Sequence, residues 1–152
     1  MKNRAHRFSA LFVYAFLLIS QPAMSHEFTG EEFKPFAEKH VVLQLSDQAN
    51  EAVVIDTANN LIKNYGGPDM IDIEIVTFGL GIRLMYEGGP QQARIASLVE
   101  NGVRFYVCKN TLDTMESVGG KRLPLNANAI LVQAGVAHII DRVAAGYTLV
   151  RP

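Results

Sequence analysis

Val41-Val42-Leu43-Gln44-Leu45-Ser46-Asp47 is a short, apolar, β-branched run that stops at two turn-prone residues, and it reads as a buried strand. Directly after it, Val54, Ala58, Leu61, Ile62 and Tyr65 share one helical face, and Gly66-Gly67-Pro68 ends that helix. The rest of the chain repeats this strand–helix unit. Ile71 to Phe78 is the second strand; Ile71, Ile73 and Ile75 alternate there with Asp72 and Glu74, so its first half is expected nearer an edge or solvent. Gly88-Gly89-Pro90 announces a helix with the stripe Ile95, Leu98 and Val99, closed by Asn101-Gly102. Val103 to Val107 is the third strand, with Cys108 at its end. Asn110 and Thr111 suit the cap of a short helix bearing Leu112 and Met115, which Gly119-Gly120 ends. Lys121 to Asn128 reads as loop and Ala129 to Val132 as a fourth strand. Val136, Ile139, Ile140 and Val143 mark a last helix, stopped by Gly146 before a fifth strand over Tyr147 to Val150. Such alternation predicts an α/β fold, a mostly parallel five-stranded sheet between helices on both faces.

The composition agrees with one domain. The 152 residues are 49% hydrophobic and 19% charged, which excludes a disordered chain. A net charge of -1 gives no basic surface for nucleic acid. The N-terminus differs from the rest. Lys2, Arg4 and Arg7 precede the apolar run Phe8 to Ile19, followed by Ser20-Gln21-Pro22 and Ala23-Met24-Ser25. Basic, apolar, then small-x-small is the grammar of a secretory signal, and the run is too short for a bilayer span of roughly 20 residues. We therefore expect a cleaved signal peptide over residues 1–25, a lead-in over 26–39 carrying Phe28, Phe33 and Phe36, and an α/β domain over 40–152. The expected compartment is the periplasm, without a stable membrane anchor. Removing Lys2, Arg4 and Arg7 leaves 11 basic residues against 15 acidic ones, a net charge of about -4.

Right-handed crossovers put every strand-to-helix loop on one edge of a parallel sheet, and ligands of open α/β sheets bind there. Ser46-Asp47, Gly79-Leu80-Gly81, Cys108-Lys109-Asn110 and Gln133-Ala134-Gly135 all fall on that edge. Cys108 is the only cysteine, so no disulfide framework exists. It stands at a strand end facing a helix N-terminus, where partial positive charge favours thiolate, and Lys109 adds a formal charge next door. Burial as small apolar filler is the competing reading. Position 111 is Thr, so there is no Cys-x-x-Cys pair and dithiol oxidoreductase chemistry is not expected.

The stretches Val41 to Asp47, Asn60-Leu61, Val76-Thr77-Phe78-Gly79-Leu80-Gly81, Gly102 to Leu112 and Gly146-Tyr147 to Arg151-Pro152 resemble the DsrE/DsrF-like family. The most specific part is Gly-Val-x-Phe-x-x-Cys-x-Asn-Thr-Leu, with Phe-Gly-x-Gly in support. The resemblance implies a flavodoxin-like α/β/α fold and homo-oligomers. In the family's relay proteins a cysteine carries sulfur as a persulfide, and that cysteine matches Cys108. Those cytoplasmic proteins work with partner subunits, whereas this chain reads as exported and single, closer to a periplasmic, uncharacterised branch. A sulfur donor or acceptor protein is the partner so implied.

Other constellations carry less. Gly79 and Gly81 could let backbone approach a phosphate, but Leu84 occupies the third glycine of a dinucleotide fingerprint, and a tight turn is the better reading. Asp47 after a strand reads as a cap or turn residue before a base. His26, His40 and His138 have no spacing that supports a metal site, and no cofactor is expected. Asn110 and Thr111 are expected to cap their helix, with any contact to sulfur coming from backbone N–H groups. Two function classes result. One is an exported sulfur-handling protein using Cys108, with Lys109, Asn110, Thr111, Ser46, Asp47, Gly79 and Gly81 around it. The other is a non-catalytic oligomeric or small-ligand-binding domain whose cysteine only packs.

Overall fold

Seven consecutive residues of the second strand, Ile71–Thr77 (β2), are all buried, and the architecture follows from what covers each side of them. The computed structural model describes Lys34 and residues 36–152. The expected signal peptide and most of the lead-in, Phe28 and Phe33 included, lie outside the described residues. β2 pairs in parallel with Lys39–Leu45 (β1) on one side and Arg104–Cys108 (β3) on the other. Ala129–Val132 (β4) continues beyond β3, and Thr148–Val150 (β5) lies against the far side of β1. The order β4-β3-β2-β1-β5 is parallel throughout. The fold is a three-layer α/β/α, flavodoxin-like domain.

The topology decides which face each helix covers. The chain steps from β1 to β4 in one direction, so right-handed crossovers set Glu51–Asn64 (α1), Gln92–Glu100 (α2) and Lys109–Gly119 (α3) on the same face. Val54, Ile55 and Ala58 of α1, Ile95 and Leu98 of α2, and Leu112 of α3 pack there on Leu43, Ile73, Ile75 and Phe105. Each fully buried aliphatic side chain of this kind contributes about 1.5–3 kcal/mol. The last crossover, from β4 to β5, must run back over the sheet. Its helix, Gly135–Ala144 (α4), therefore covers the opposite face and touches β1, β2, β3 and β5. A second, smaller core of Val42, Val76, Tyr106, Ile139 and Tyr147 lies beneath it.

That second face corrects one expectation. The alternation of Asp72 and Glu74 with isoleucines does not mark an edge: β2 is central, and both carboxylates are fully buried under α4. They are held there by charge. Arg104 Nη2 donates to Asp72 Oδ2 at 2.8 Å and to Glu74 Oε1 at 3.0 Å. Tyr147 donates its hydroxyl to Asp72. From α4, His138 Nε2 lies 2.9 Å from Glu74 Oε2, and Arg142 Nε lies 3.7 Å from the same oxygen. His138 also stacks on Tyr106, with ring centroids 4.2 Å apart. Buried carboxylates are tolerated only when paired and hydrogen-bonded, and here these contacts also fasten α4 to the sheet. Lys34 Nζ ties the end of the lead-in down by donating to the carbonyls of Pro68, Asn101 and Ile71. No helix among the described residues is long and apolar enough to cross a membrane.

Candidate functional site

The residue that ends β3 also begins α3. Cys108 is extended at φ -71°, ψ 113°, and occupies the N-cap position, so helix α3 starts at Lys109, earlier than a cap at Asn110 or Thr111 would give. This difference of two to three residues changes what those two residues do. An N-cap side chain points at the unpaired N–H groups of the first turn, and here that side chain is a thiol. No capping hydrogen bond to the sulfur forms, but the backbone N–H groups of Asn110 and Thr111 and the Thr111 hydroxyl favour its anionic form. Thr111 Oγ1 accepts the N–H of Gly79 at 3.3 Å, which leaves its own proton free to point at Cys108. The expectation that Thr111 only caps is thereby corrected.

A further donor comes from the other face of the sheet. α4 begins at Gly135, and the Gly135 N–H also reaches the sulfur. Two helix N-termini, one from each face, thus converge on one atom. Space is tight at Gly135: a Cβ there would lie 3.2 Å from Cys108 Cβ and 3.4 Å from Val76 Cγ1, so either neighbour would have to give by a few tenths of an ångström. Burial alone would push the Cys108 thiol up. The hydrogen bonds from Thr111, Gly135 and Asn110 outweigh it, and its pKa falls below the ordinary thiol value. Lys109, expected to supply charge, is not among these groups. The carbonyl of Gln133 lies 4.0 Å from the sulfur, at the limit for a thiol donor, so the protonated form is weakly held. Cys108 is 6% exposed.

The remaining candidates sort by distance from that sulfur. Asn110 bridges away from it: its Oδ1 accepts from Gln133 Nε2 at 2.7 Å, and its N–H also bonds the Gln133 carbonyl, tying α3 to the end of β4. Gly79 is left-handed at φ +54° and opens a 3-10 helix, Gly79–Met85. Gly81 serves the same turn by close approach, since a Cβ there would meet the Leu45 carbonyl oxygen at 2.4 Å. Its N–H bonds the carbonyl of Ser46. The Gly-x-Gly therefore packs backbone on backbone. Asp47 Oδ1 accepts the N–H of Ala49 at 3.0 Å and caps the 3-10 turn Gln48–Asn50. Ser46 and Asp47 support the turn that presents Gly79; they do not address the sulfur. Gly135 was missed as a sulfur ligand from sequence, although Gln133-Ala134-Gly135 fell on the correct edge.

At the start of α3 a cavity of about 380 Å³ is lined by Gly79, Leu80, Asn110, Thr111, Thr114 and Met115, without Cys108. It adjoins a larger one of about 860 Å³, which shares Thr114 and Met115 and extends along α3. The pair gives the C-terminal edge of the sheet a concave surface of small-molecule size.

No protein-family model matches this chain, and no curated protein matches it. Among solved structures it is similar to MTH1491 of Methanobacterium thermoautotrophicum, a protein of unknown function, with 25% identity and a TM-score of 0.67. That likeness covers 76% of this chain and all of the archaeal one. The shared α/β fold is what it supports.

Proposed function

We propose that this protein handles sulfur through Cys108, accepting sulfane sulfur as a persulfide and passing it on. The observation that carries this reading is the place of the thiol: Cys108 stands at the N-cap of α3, in contact with Gly135 where α4 begins. The chemistry asks for little else. The Cys108 thiolate attacks the outer sulfur of a donor R–S–S–H, the donor S–S bond breaks, and the departing thiolate RS⁻ takes up the proton the donor carried. Cys108–S–S⁻ remains, with its anionic outer sulfur among the same N–H groups. An acceptor thiolate reverses the exchange. No second cysteine is needed. The resemblance to the DsrE/DsrF-like family supports the same assignment, as does the single cysteine matching the relay position.

The N-terminal grammar supports export to the periplasm with cleavage after Ser25. Assembly into a homo-oligomer is part of the proposal; it is supported by the exposed stripe Val136, Ile140 and Val143 on the outer side of α4. A sulfur donor or acceptor protein would be a further partner.

One observation favours a second reading, a ligand-binding or oligomeric domain with a structural cysteine: the thiol is nearly covered. The two readings separate in one experiment. Folded protein incubated with inorganic polysulfide should gain one sulfur mass, removable by a reductant, and Cys108→Ser should abolish the adduct with an unchanged melting point. A wild type that gains no sulfur and alkylates only in denaturant retires the sulfur-handling reading.

A further inference from the structure

The two faces of the sheet are closed by different forces. On the first, α1, α2 and α3 lie on aliphatic side chains and Phe105. On the second α4 stands alone, and of its residues only Gly135 and Ile139 are buried. Its inner stripe is Gly135, His138, Ile139 and Arg142, at i, i+3, i+4 and i+7, so its apolar hold is a single side chain. Beneath the stripe lie Asp72, Glu74 and Arg104. Val136, Ile140 and Val143 on the outer side are exposed, and so are Ala144, Ala145 and Gly146 at the far end.

This difference sets which helix lifts most easily. Uncovering the first face exposes apolar surface with no compensating gain. Uncovering the second returns water to charged groups, and the hydration regained offsets much of the ion pairing that is lost. The closed arrangement also leaves polar atoms unsatisfied: among the described residues no hydrogen bond reaches Asp72 Oδ1 or Arg142 Nε, although both atoms are buried. Local opening falls on elements with few buried apolar contacts. α3 likewise buries one large side chain, Leu112, but Met115 adds to that core, and Thr111 and Asn110 tie its first turn to Gly79 and Gln133.

The first turn of α4 is also what covers Cys108 on the second face. Gly135 packs on the Cys108 Cβ so closely that a side chain there would crowd it. His138, 2.9 Å from Glu74 Oε2, follows less than one turn later, and Arg142 holds the same oxygen from one turn further on. The contacts that fasten the helix and the contact that covers the thiol therefore belong to one short rigid element. We infer that α4 is a lid on Cys108, latched by His138 and Arg142 on Glu74, and that the thiol meets its reagents when the lid lifts. Opening leaves α3 in place, with Cys108 still at its N-cap. The lid regulates the same site as the sulfur-handling reading and takes from that reading only what the thiol reacts with.

The test uses the full chain, in which Cys108 is the only cysteine, so that iodoacetamide labels one site. The alkylation rate of folded protein, divided by the rate in denaturant at the same pH, gives the fraction of molecules with an open thiol. That fraction should match the one from amide exchange of α4, and should exceed those from exchange of α1 and from global unfolding in urea. His138→Leu should raise alkylation and α4 exchange together, about tenfold, with α1 exchange moved less. Arg142→Met, at a side chain 21% exposed, should act in the same direction and serves alone if His138→Leu does not fold. Val136→Ser, on the outer side, should move neither rate. Alkylation that follows α3 exchange or global unfolding, or that ignores the latch substitutions, overturns the lid. A second arm replaces iodoacetamide by inorganic polysulfide. Alkylation that tracks α4 with no sulfur gained retires the sulfur-handling reading and leaves the lid standing. Sulfur gained at a rate that neither latch variant changes overturns the lid and leaves that reading standing.

Discussion

Replacing Arg104 by Met removes the cation that two fully buried carboxylates share. Asp72 and Glu74 are inaccessible to water, and the Arg104 side chain is 10% exposed, so solvent screens little of the interaction. Breaking a buried pair by deleting one partner costs about 3–5 kcal/mol, because the charge left behind is uncompensated. Against a total stability of about 5–15 kcal/mol this is a large fraction, and for a domain of this size it lowers the melting temperature by roughly 10–20 °C. The loss also has a pH signature. Burial raises the Asp72 carboxyl, but the hydrogen bonds from Arg104 and Tyr147 outweigh it and hold its pKa below the ordinary value. A depressed carboxyl contributes stability that is present above its unfolded pKa and is lost as pH falls through the folded one. In Arg104→Met burial dominates, the carboxyl titrates above its unfolded value, and the sign reverses: the variant loses stability as pH rises. The gap between the two proteins is therefore largest near neutrality and closes toward pH about 4 and below. Adding Asp72→Asn should recover part of the loss. Urea unfolding at several pH values is the assay. A loss below about 1 kcal/mol, or one that is constant between neutral pH and pH about 4, refutes the argument.

Thr111→Val removes a donor to the sulfur and leaves the Gly79 N–H without its acceptor; the Cys108 pKa should rise toward the ordinary thiol value, read as thiolate absorbance against pH, and alkylation at neutral pH should slow. Because the folded thiol is depressed, wild type should gain stability over Cys108→Ser as pH rises through the folded thiol pKa, and the gain should level off above the unfolded value near 8.5; a flat difference would contradict the hydrogen-bond account. Gly81→Ala forces a Cβ onto the Leu45 carbonyl at 2.4 Å, and a backbone shift of that kind should cost about 1–3 kcal/mol or more in denaturant unfolding. Glu74→Gln weakens the hold on His138 and Arg142; amide exchange in α4 should quicken before exchange in α3 does.

Strands and helices were legible because each carries its own period, and their alternation was enough for a parallel sheet. The position of Cys108 at a strand end, before a helix, followed from the same pattern. What could not be read locally depended on partners far along the chain. Asp72 and Glu74 alternate with isoleucines as an edge strand would, and it is Arg104, His138, Arg142, Tyr147 and His40, all outside β2, that make a central strand tolerate them. A signal was present in Arg104, which opens the neighbouring strand, but pairing it with β2 requires the sheet order. The cap was misassigned by two to three residues: Cys108 takes that position itself, so Asn110 ties α3 to Gln133 instead and the Thr111 hydroxyl accepts from Gly79. Gly135 is a small residue at a helix start, ordinary by sequence, and acquires its role from the crossover that lays α4 on the second face.

That crossover also sets the order in which the domain can assemble. The first face is built from neighbouring strand–helix units, whereas the second requires His138 to find Glu74 across 64 positions and Tyr147 to find Asp72 across 75. Contacts of such reach form late, because ordering a long loop precedes any gain from closing it. Until they form, Asp72, Glu74 and Arg104 remain hydrated and Cys108 has only the donors of α3. The acidity of the thiol is then among the last properties the folding chain acquires, and the first it surrenders when α4 detaches from the sheet.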